Sequence, residues 1–289
     1  MSSSVRRLVT TALAVIGVAL AIAAPSAVFA QSAAVDQAEA HMLDLINQDR
    51  TQRGLVPYRR DAHLMHIAGM RSYDMATKHY FSHRQPDGRT AFDMIDASGI
   101  TWYSAAEIIA WNNASDLAGS ADWANQQWLG SSTHKAAIVS TSYNYIGVGL
   151  AVDTSNGRRI WTAVIMKAPD HTGGWVTFDP LPNQLTADTA GTLTTSTSTT
   201  TSTSSTNSRS VTVSWAGGDI RLATLTSGFD HFQIRRQIDG GSWVFVSTST
   251  TTHSRTVTVY DGHSYRLSVR SCDRRGNCGT WRYITVSAG

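Results

Sequence analysis

The residues with most chemical potential in this chain are two histidines and a carboxylate. His83 ends the run Tyr80-Phe81-Ser82-His83, which follows Asp74-Met75-Ala76 and precedes Pro86-Asp87-Gly88. His134 ends Trp128-Leu129-Gly130-Ser131-Ser132-Thr133-His134, and Glu107 lies in Ala106-Glu107-Ile108-Ile109-Ala110. Gathered in one cleft, two imidazoles and a carboxylate could hold a metal, move a proton or orient a polar ligand. As zinc ligands they would be the minimum, since open zinc sites normally have three protein donors. Their spacings, 24 and 27 residues, match no ligand motif. Ser131 and Ser132 stand near His134, but neither has the glycine frame of a nucleophile elbow. His63, His66 and His79 read as surface or partly buried, because no paired acid accompanies them.

The elements that must position these residues follow from periodicity. Val35, Ala38, Met42, Leu45 and Ile46 recur on one face of a helix over 34–53, stopped by Gly54. Asp61 is placed to cap a helix running through Leu64, Ile67, Ala68 and Met75, and Thr90 to cap a short one over Ala91 to Ala97. A further helix is expected over Leu117 to Leu129, turning Ala121, Ala124 and Trp128 to a core. Tyr145 to Val152 and Ile160 to Ile165 read as strands joined through Asn156-Gly157 in a hairpin. Helices first and an antiparallel hairpin last imply an α+β domain. Trp102, Trp111, Trp123, Trp128 and Trp161 read as core or cleft wall, and Trp175 as packing.

Composition divides the rest. Arg6 and Arg7, the apolar run from Leu8 to Ala24, and Val28-Phe29-Ala30 before Gln31 form a secretory signal peptide over 1–30, cut after Ala30. No later stretch is apolar and long enough to cross a bilayer, so an exported, non-integral protein is expected. Thr194 to Thr206 is an unbroken Ser/Thr run with nothing apolar to bury, expected to be a disordered linker over 188–208. It separates a domain at 31–187 from one at 209–289. The second carries ten Arg, no Lys and five Asp, a net charge of +5, while 31–208 carries −4. A basic module on an acidic body suits anionic surfaces, but no basic-aromatic sequence pattern points to nucleic acid. Cys272 and Cys278, the only cysteines, are expected to form a local disulfide worth roughly 2 kcal/mol.

From Ala38 to Met166 the chain resembles the bacterial branch of the CAP superfamily: cysteine-rich secretory proteins, antigen 5 and pathogenesis-related 1, the SCP domain. The resemblance rests on Leu43-(two)-Ile46-Asn47-(two)-Arg50, Tyr80 to His83, the Glu107 segment, Trp128 to His134, and Tyr143-Asn144-Tyr145-Ile146-Gly147-Val148-Gly149. It implies an α-β-α sandwich with an open cleft in which His83, His134 and Glu107 meet. Some members bind divalent metal through the histidines, so zinc held by His83 and His134 is the implied, not required, cofactor. Bacterial members usually write the acid as Gly-Glu-Asn-Ile-Ala; here both neighbours of Glu107 differ. The second acid of eukaryotic members falls at Ser131, so the cleft set is His83, Glu107, His134 and Ser131.

Over 209–289, alternating runs at Val211 to Trp215, Phe232 to Arg235, Trp243 to Val246, Thr256 to Val259 and Tyr265 to Val269 imply an all-β sandwich. With Trp215, Gly262-(two)-Tyr265 as a tyrosine corner, and Asp273-(two)-Gly276-Asn277, this half resembles a fibronectin type III module. The expected function is an exported protein, associated with the cell envelope, that binds a ligand in or near the His/Glu cleft. Lipid, sterol, envelope polymer or partner protein are the classes that the resemblance implies, and catalysis is not the leading reading. A cleft hydrolase is the alternative, with His83 or His134 as general base, Glu107 as its orienter and water or Ser131 as nucleophile. It predicts that Glu107→Gln lowers a rate with the fold intact. A third reading is an adhesin acting through 209–289.

Overall fold

The computed structural model describes residues 32–179 and 208–287. The expected signal peptide, its cleavage point and the run Thr194 to Thr206 lie outside the described residues. Ala33–Thr51 (α1) buries Ala38, Met42, Ile46 and Arg50 along one face. Its one arginine, Arg50, is fully buried without a carboxylate, donating hydrogen bonds to the carbonyls of Val56, Ile138 and Ser140 and lying 3.4 Å over the Tyr58 ring. Asn47 pins the same loop by bonding both the N–H and the C=O of Tyr58. These contacts explain why asparagine and arginine stand at those spacings in the α1 motif.

Arg59–Arg60 (β1) leads into Ala62–Thr77 (α2), whose Leu64 N–H is capped by Asp61 at 2.9 Å. Thr90 and Asp93 form a capping box on Ala91–Ala97 (α3). Ser104–Asn112 (β2) follows, then Leu117–Gly130 (α4), Ser132–Ile138 (α5), Tyr145–Asp153 (β3) and Arg158–Lys167 (β4). The sheet order is β1-β3-β4-β2, with β1 parallel to β3 and the rest antiparallel. Strand alternation sorts the two faces. Ile146, Val148, Leu150, Trp161, Ala163 and Ile165 join α1 and α4 in one core. Tyr145, Val164 and Met166 pack with α2 and α3 on the other side. Helices thus cover both faces, and Glu107 falls on the α2 side. The strand β2 and the helix α5 are additions to the expected elements. The alanine-rich β2 has little intrinsic strand preference and is held by its nine-residue pairing with β4.

The C-terminal half is all β and antiparallel. Its strands are Trp175–Phe178 (β5), Ser208–Gly218 (β6), Phe229–Ile238 (β7), Val244–Thr250 (β8), Ser254–Tyr260 (β9), Ser264–Asp273 (β10) and Arg282–Ser287 (β11). They form two sheets, β11-β10-β7-β8 and β5-β6-β9, around Trp215, Phe232, Leu267, Val269 and Ile284. The Tyr265 hydroxyl accepts the Tyr260 N–H at 3.3 Å. Cys272 and Cys278 are disulfide-bonded. β5 stands before the Ser/Thr run, inside the span expected for the first domain, yet its partners are the residues Trp215 to Gly218 of β6. Trp175, expected as packing, is 46% exposed.

The two halves touch directly. Leu222 packs in the core cluster of α2 and Tyr145, and Asn144 Nδ2 bonds the carbonyls of Ala168 and Thr224. Asp170 accepts the N–H and hydroxyl of Ser227, and its carbonyl accepts Asn277 Nδ2 at 2.9 Å. Nearby, His171 Nε2 lies 2.7 Å from Asp61 Oδ2, with its ring stacked 3.9 Å from Tyr145. The Asp61 hydrogen bond raises the His171 pKa above the ordinary histidine value. Burial opposes ionisation of Asp61, but its bonds from His171 and the Leu64 amide outweigh this and lower its pKa. A raised histidine stabilises below its unfolded value, near 6.5, and loses that contribution as pH rises through the folded pKa; a lowered aspartate contributes above roughly 3.9. The stability gap between the native chain and His171→Gln is therefore expected to be wider around pH 5.5 than about pH 8.5. Thermal unfolding of both proteins measures it, and an equal gap at both would refute the linkage.

Candidate functional site

α2 buries Leu64, Ala68, Arg71 and Met75 as one stripe, so a cation stands in an apolar row. Its guanidinium organises the site. Arg71 Nε donates to Glu107 Oε1 at 2.7 Å, Nη1 to the Tyr80 hydroxyl at 2.9 Å and Nη2 to the Ser82 carbonyl at 2.6 Å. One side chain of α2 thereby ties β2 to the Tyr80-Phe81-Ser82-His83 loop. Burial works against the Arg71 charge, but Glu107 more than restores it and the pKa is raised. Tyr80 in turn donates to Asp74 Oδ2, and burial followed by that bond pushes its pKa up to about 12.

The second oxygen of Glu107 meets His83: Nδ1 lies 2.7 Å from Oε2. The carboxylate accepts, so Nδ1 carries the proton and a neutral His83 keeps its lone pair on Nε2. The His83 side chain is 56% exposed while that of Glu107 is 3%. The result is an exposed imidazole oriented by a buried acid, itself fixed by a buried cation. This chemistry suits proton transfer or a hydrogen bond to a polar ligand.

His134 enters from α5. Ser131 caps that helix, its Oγ facing the His134 N–H at 3.5 Å. The hydroxyl expected as a ligand contact or nucleophile is thus turned to the helix end. Partial burial, and then repulsion from His83, lower the His134 pKa below the ordinary histidine value, which favours its neutral form. Among the sequence-selected residues, His83 and Glu107 are in contact, and His134 is close enough to feel His83. His63 and His66 are exposed. His79 does have an acid, its Nδ1 lying 3.0 Å from Asp153 Oδ2, and is likewise exposed.

Ser131 and His134 line an open cleft of about 580 Å³. Trp128, fully buried, belongs to its lining, and its indole N–H has no acceptor among the described residues. Around the cleft Phe81, Trp111 and Trp123 are 41%, 37% and 49% exposed. Arg158 covers one part of Trp111, its Cζ 4.2 Å from the ring centroid. Asn113 and Gln127 add amides to the same lining. Large aromatic surfaces left open beside hydrogen-bonding groups are the ordinary make-up of a ligand site.

The donor set does not fit the three-ligand zinc site. Both oxygens of Glu107 are taken, by Arg71 and His83, which leaves two imidazoles where three protein ligands are normal. Among the described residues, the group of three or more metal-type ligand atoms within 4.8 Å of one another is Asp170, Asp219 and Asp273 instead. Those carboxylates accept bonds from Ser227, Gly228, Arg275 and Asn277 and serve the junction between the halves.

Arg71 is absent from the residues that sequence reasoning selects, although a charged residue in a helix's apolar stripe is a readable sign of a buried partner. The exposed aromatics carry no such sign, because tryptophan in a core and on a cleft wall look alike in sequence.

Residues 43–165 match the cysteine-rich secretory protein family, CAP. The chain is 32% identical over 124 residues to the uncharacterized protein YkwD of Bacillus subtilis (strain 168), across 43% of this chain and 45% of that protein. It is 30% identical over 112 residues to the uncharacterized membrane protein YlbC of the same strain, across 39% of this chain and 31% of that one. The chain therefore spans less than half the length of either relative. Among solved structures, an extracellular protein containing a SCP domain from Bacillus anthracis str. Ames is 26% identical at a TM-score of 0.40, covering 46% of this chain and 41% of that one. An outer surface protein from Borrelia burgdorferi is 19% identical at a TM-score of 0.42, covering 46% and 95%. Residues 43–165 of this chain are a CAP domain of the cysteine-rich secretory protein family.

Proposed function

We propose that this chain is an exported protein whose CAP domain holds an amphipathic ligand in the aromatic cleft, with His83 and His134 supplying its polar contacts. The observation that carries the reading is the exposure of Phe81, Trp111 and Trp123 around one cleft that His134 also lines. A lipid, a sterol or an envelope glycan offers the matching combination of apolar face and polar edge. Export is supported by the composition of residues 1–30. Among the described residues no helix is long and apolar enough to cross a membrane. The C-terminal half acts as a fibronectin type III-like adhesion or spacer module; the antiparallel sheets and the Tyr265 hydroxyl on the Tyr260 amide support that assignment.

The test is quenching of tryptophan fluorescence as the full-length protein is titrated with sterol, phospholipid vesicles and soluble peptidoglycan fragments. Saturable binding to one class is expected, weakened at least tenfold, about 1.4 kcal/mol, by Trp123→Ala. No saturable binding to any of the three would sink the reading. A second reading, hydrolysis of such a ligand, is favoured by the His83–Glu107 bond alone. It requires turnover that His83→Gln abolishes without shifting thermal stability.

A further inference from the structure

The outer face of the sheet β11-β10-β7-β8 carries arginines that no carboxylate among the described residues neutralises. Ile234, Leu267 and Val269 point into the core, so the alternate residues Arg235, Arg266 and Arg270 project from the opposite face. Register sets them in a row. Arg235 of β7 pairs with Ser268 of β10, midway between Arg266 and Arg270 of the same strand. Four residues of strand separate the outer two by about 13 Å.

Rings hold the guanidinia in place. Arg235 lies between Trp243 and Trp281, 4.4 and 4.1 Å from their centroids, and Arg270 is 4.6 Å from Trp281. Gln233 Oε1 accepts two bonds from Arg270, at 2.9 and 2.7 Å. Among the described residues, the ion pairs of this half are His231 with Asp230 and His263 with Asp239, and neither enters the row. Asp219 and Asp273 are turned into the junction with Asp170. Burial and the charge of Arg270 together press the Arg235 pKa below its ordinary value. Beneath the layer, Ser268 is 1% exposed with its Oγ unpartnered, and Arg235 Nε also lacks a partner. Residues 209–289 carry ten arginines and no lysine, and arginine is the side chain that both stacks on rings and forks onto phosphate.

The aromatic faces decide the kind of ligand. Readers of single-stranded nucleic acid leave rings free for bases to stack on, whereas here guanidinia lie over Trp243 and Trp281. What the face offers is a linear set of fixed positive charges on a flat sheet, suited to successive anions of an extended chain. We infer that the outer face of this sheet binds the backbone of a phosphodiester-linked anionic polymer of the cell envelope through Arg235, Arg266 and Arg270. The envelope source rests on the proposed export; the charge recognition does not, and neither depends on the cleft.

The experiment titrates the full-length protein with poly(glycerol phosphate) over a series of salt concentrations. Saturable binding is expected, with a slope of log K against log salt of about −2 to −3 for three phosphate contacts. Arg266→Gln together with Arg270→Gln should flatten the slope by about 2 and weaken low-salt binding at least tenfold. Arg266 is exposed and its contacts are the looser ones, 5.2 Å to the Tyr283 ring and 3.3 Å to Gln237 Oε1 against 4.6 Å from Arg270 to Trp281. Arg266→Gln alone is therefore the milder control, expected to flatten the slope by about 1 with an unchanged unfolding midpoint. Trp123→Ala in the cleft should leave polymer binding untouched, which separates this face from the cleft reading. Absence of saturable binding at low salt, or unchanged slopes in both arginine variants, would overturn the inference. Single-stranded DNA binding as tightly and with the same slope would overturn the envelope assignment in favour of nucleic acid.

Discussion

Arg71→Met is expected to destabilise the protein by about 3–5 kcal/mol, because it strips the buried carboxylate of Glu107 of its permanent counter-charge and leaves it the His83 hydrogen bond alone. The side chains of Arg71 and Glu107 are 0% and 3% exposed, so water cannot replace the missing partner. The same substitution removes the bonds to Tyr80 and Ser82 that seat the loop carrying His83. Glu107→Gln should cost a similar amount for the converse reason, a buried guanidinium left unpaired. The double variant is expected to lose less than the sum, since neither charge is then stranded. Thermal unfolding checks this directly: each single change should lower the midpoint by on the order of 10 °C. Strict additivity would show that the pair is not energetically coupled. The expectation that Glu107→Gln leaves the fold intact is thereby revised; the carboxylate is as much a structural ion as an orienter, and exposed His83 is the cleaner place to interrogate catalysis.

Gly147→Ala should be comparably severe through sterics alone. A Cβ there would lie 2.0 Å from the Leu64 carbonyl carbon and 2.2 Å from Met65 N, and one at Gly149 would lie 2.3 Å from the backbone of Ala68 and Gly69. These are backbone atoms of α2, so no rotamer change relieves the clash. The cost is set at or above the upper end of ordinary overpacking, about 3 kcal/mol. Gly69→Ala on the facing helix is the contrasting control. A Cβ at that position meets nothing within 4 Å, and the change should gain about 0.4–1 kcal/mol. If urea unfolding found Gly147→Ala no less stable than Gly69→Ala, the close approach of α2 to β3 would be wrong. The effect reaches the site, because pushing α2 off the sheet moves Arg71 with it.

Much of the first domain is legible where local chemistry and periodicity agree. Asp61 and Thr90 both cap the helices expected of them, and Asn156-Gly157 turns the hairpin between β3 and β4. The glycines of Tyr145-Ile146-Gly147-Val148-Gly149 alternate on the face where α2 approaches. β2 is hidden because Ala105, Ala106 and Ala110 have no strand preference of their own, and only its neighbours make it a strand. The site is legible as a set of residue types but not as a set of bonds. Adjacency to His134 suggests chemistry for Ser131, whereas its oxygen serves the α5 terminus. Nothing local links Arg71 to Glu107, which lie 36 residues apart. The arginine row is equally hidden, since it is assembled from strands β7 and β10 and from rings outside them.

The position of β5 governs what a protease could release from this molecule. Trp175–Phe178 precedes the Ser/Thr run, yet is hydrogen-bonded to Trp215 through Gly218 beyond it. A single cut within Thr194 to Thr206 severs the covalent connection without parting the sheet. The nicked product would run as one particle under native conditions and as two fragments once denatured. Shedding of the C-terminal half thus requires a second event, the unzipping of β5 from β6 together with the parting of Leu222, Thr224, Ser227 and Asn277 from their partners in the first half.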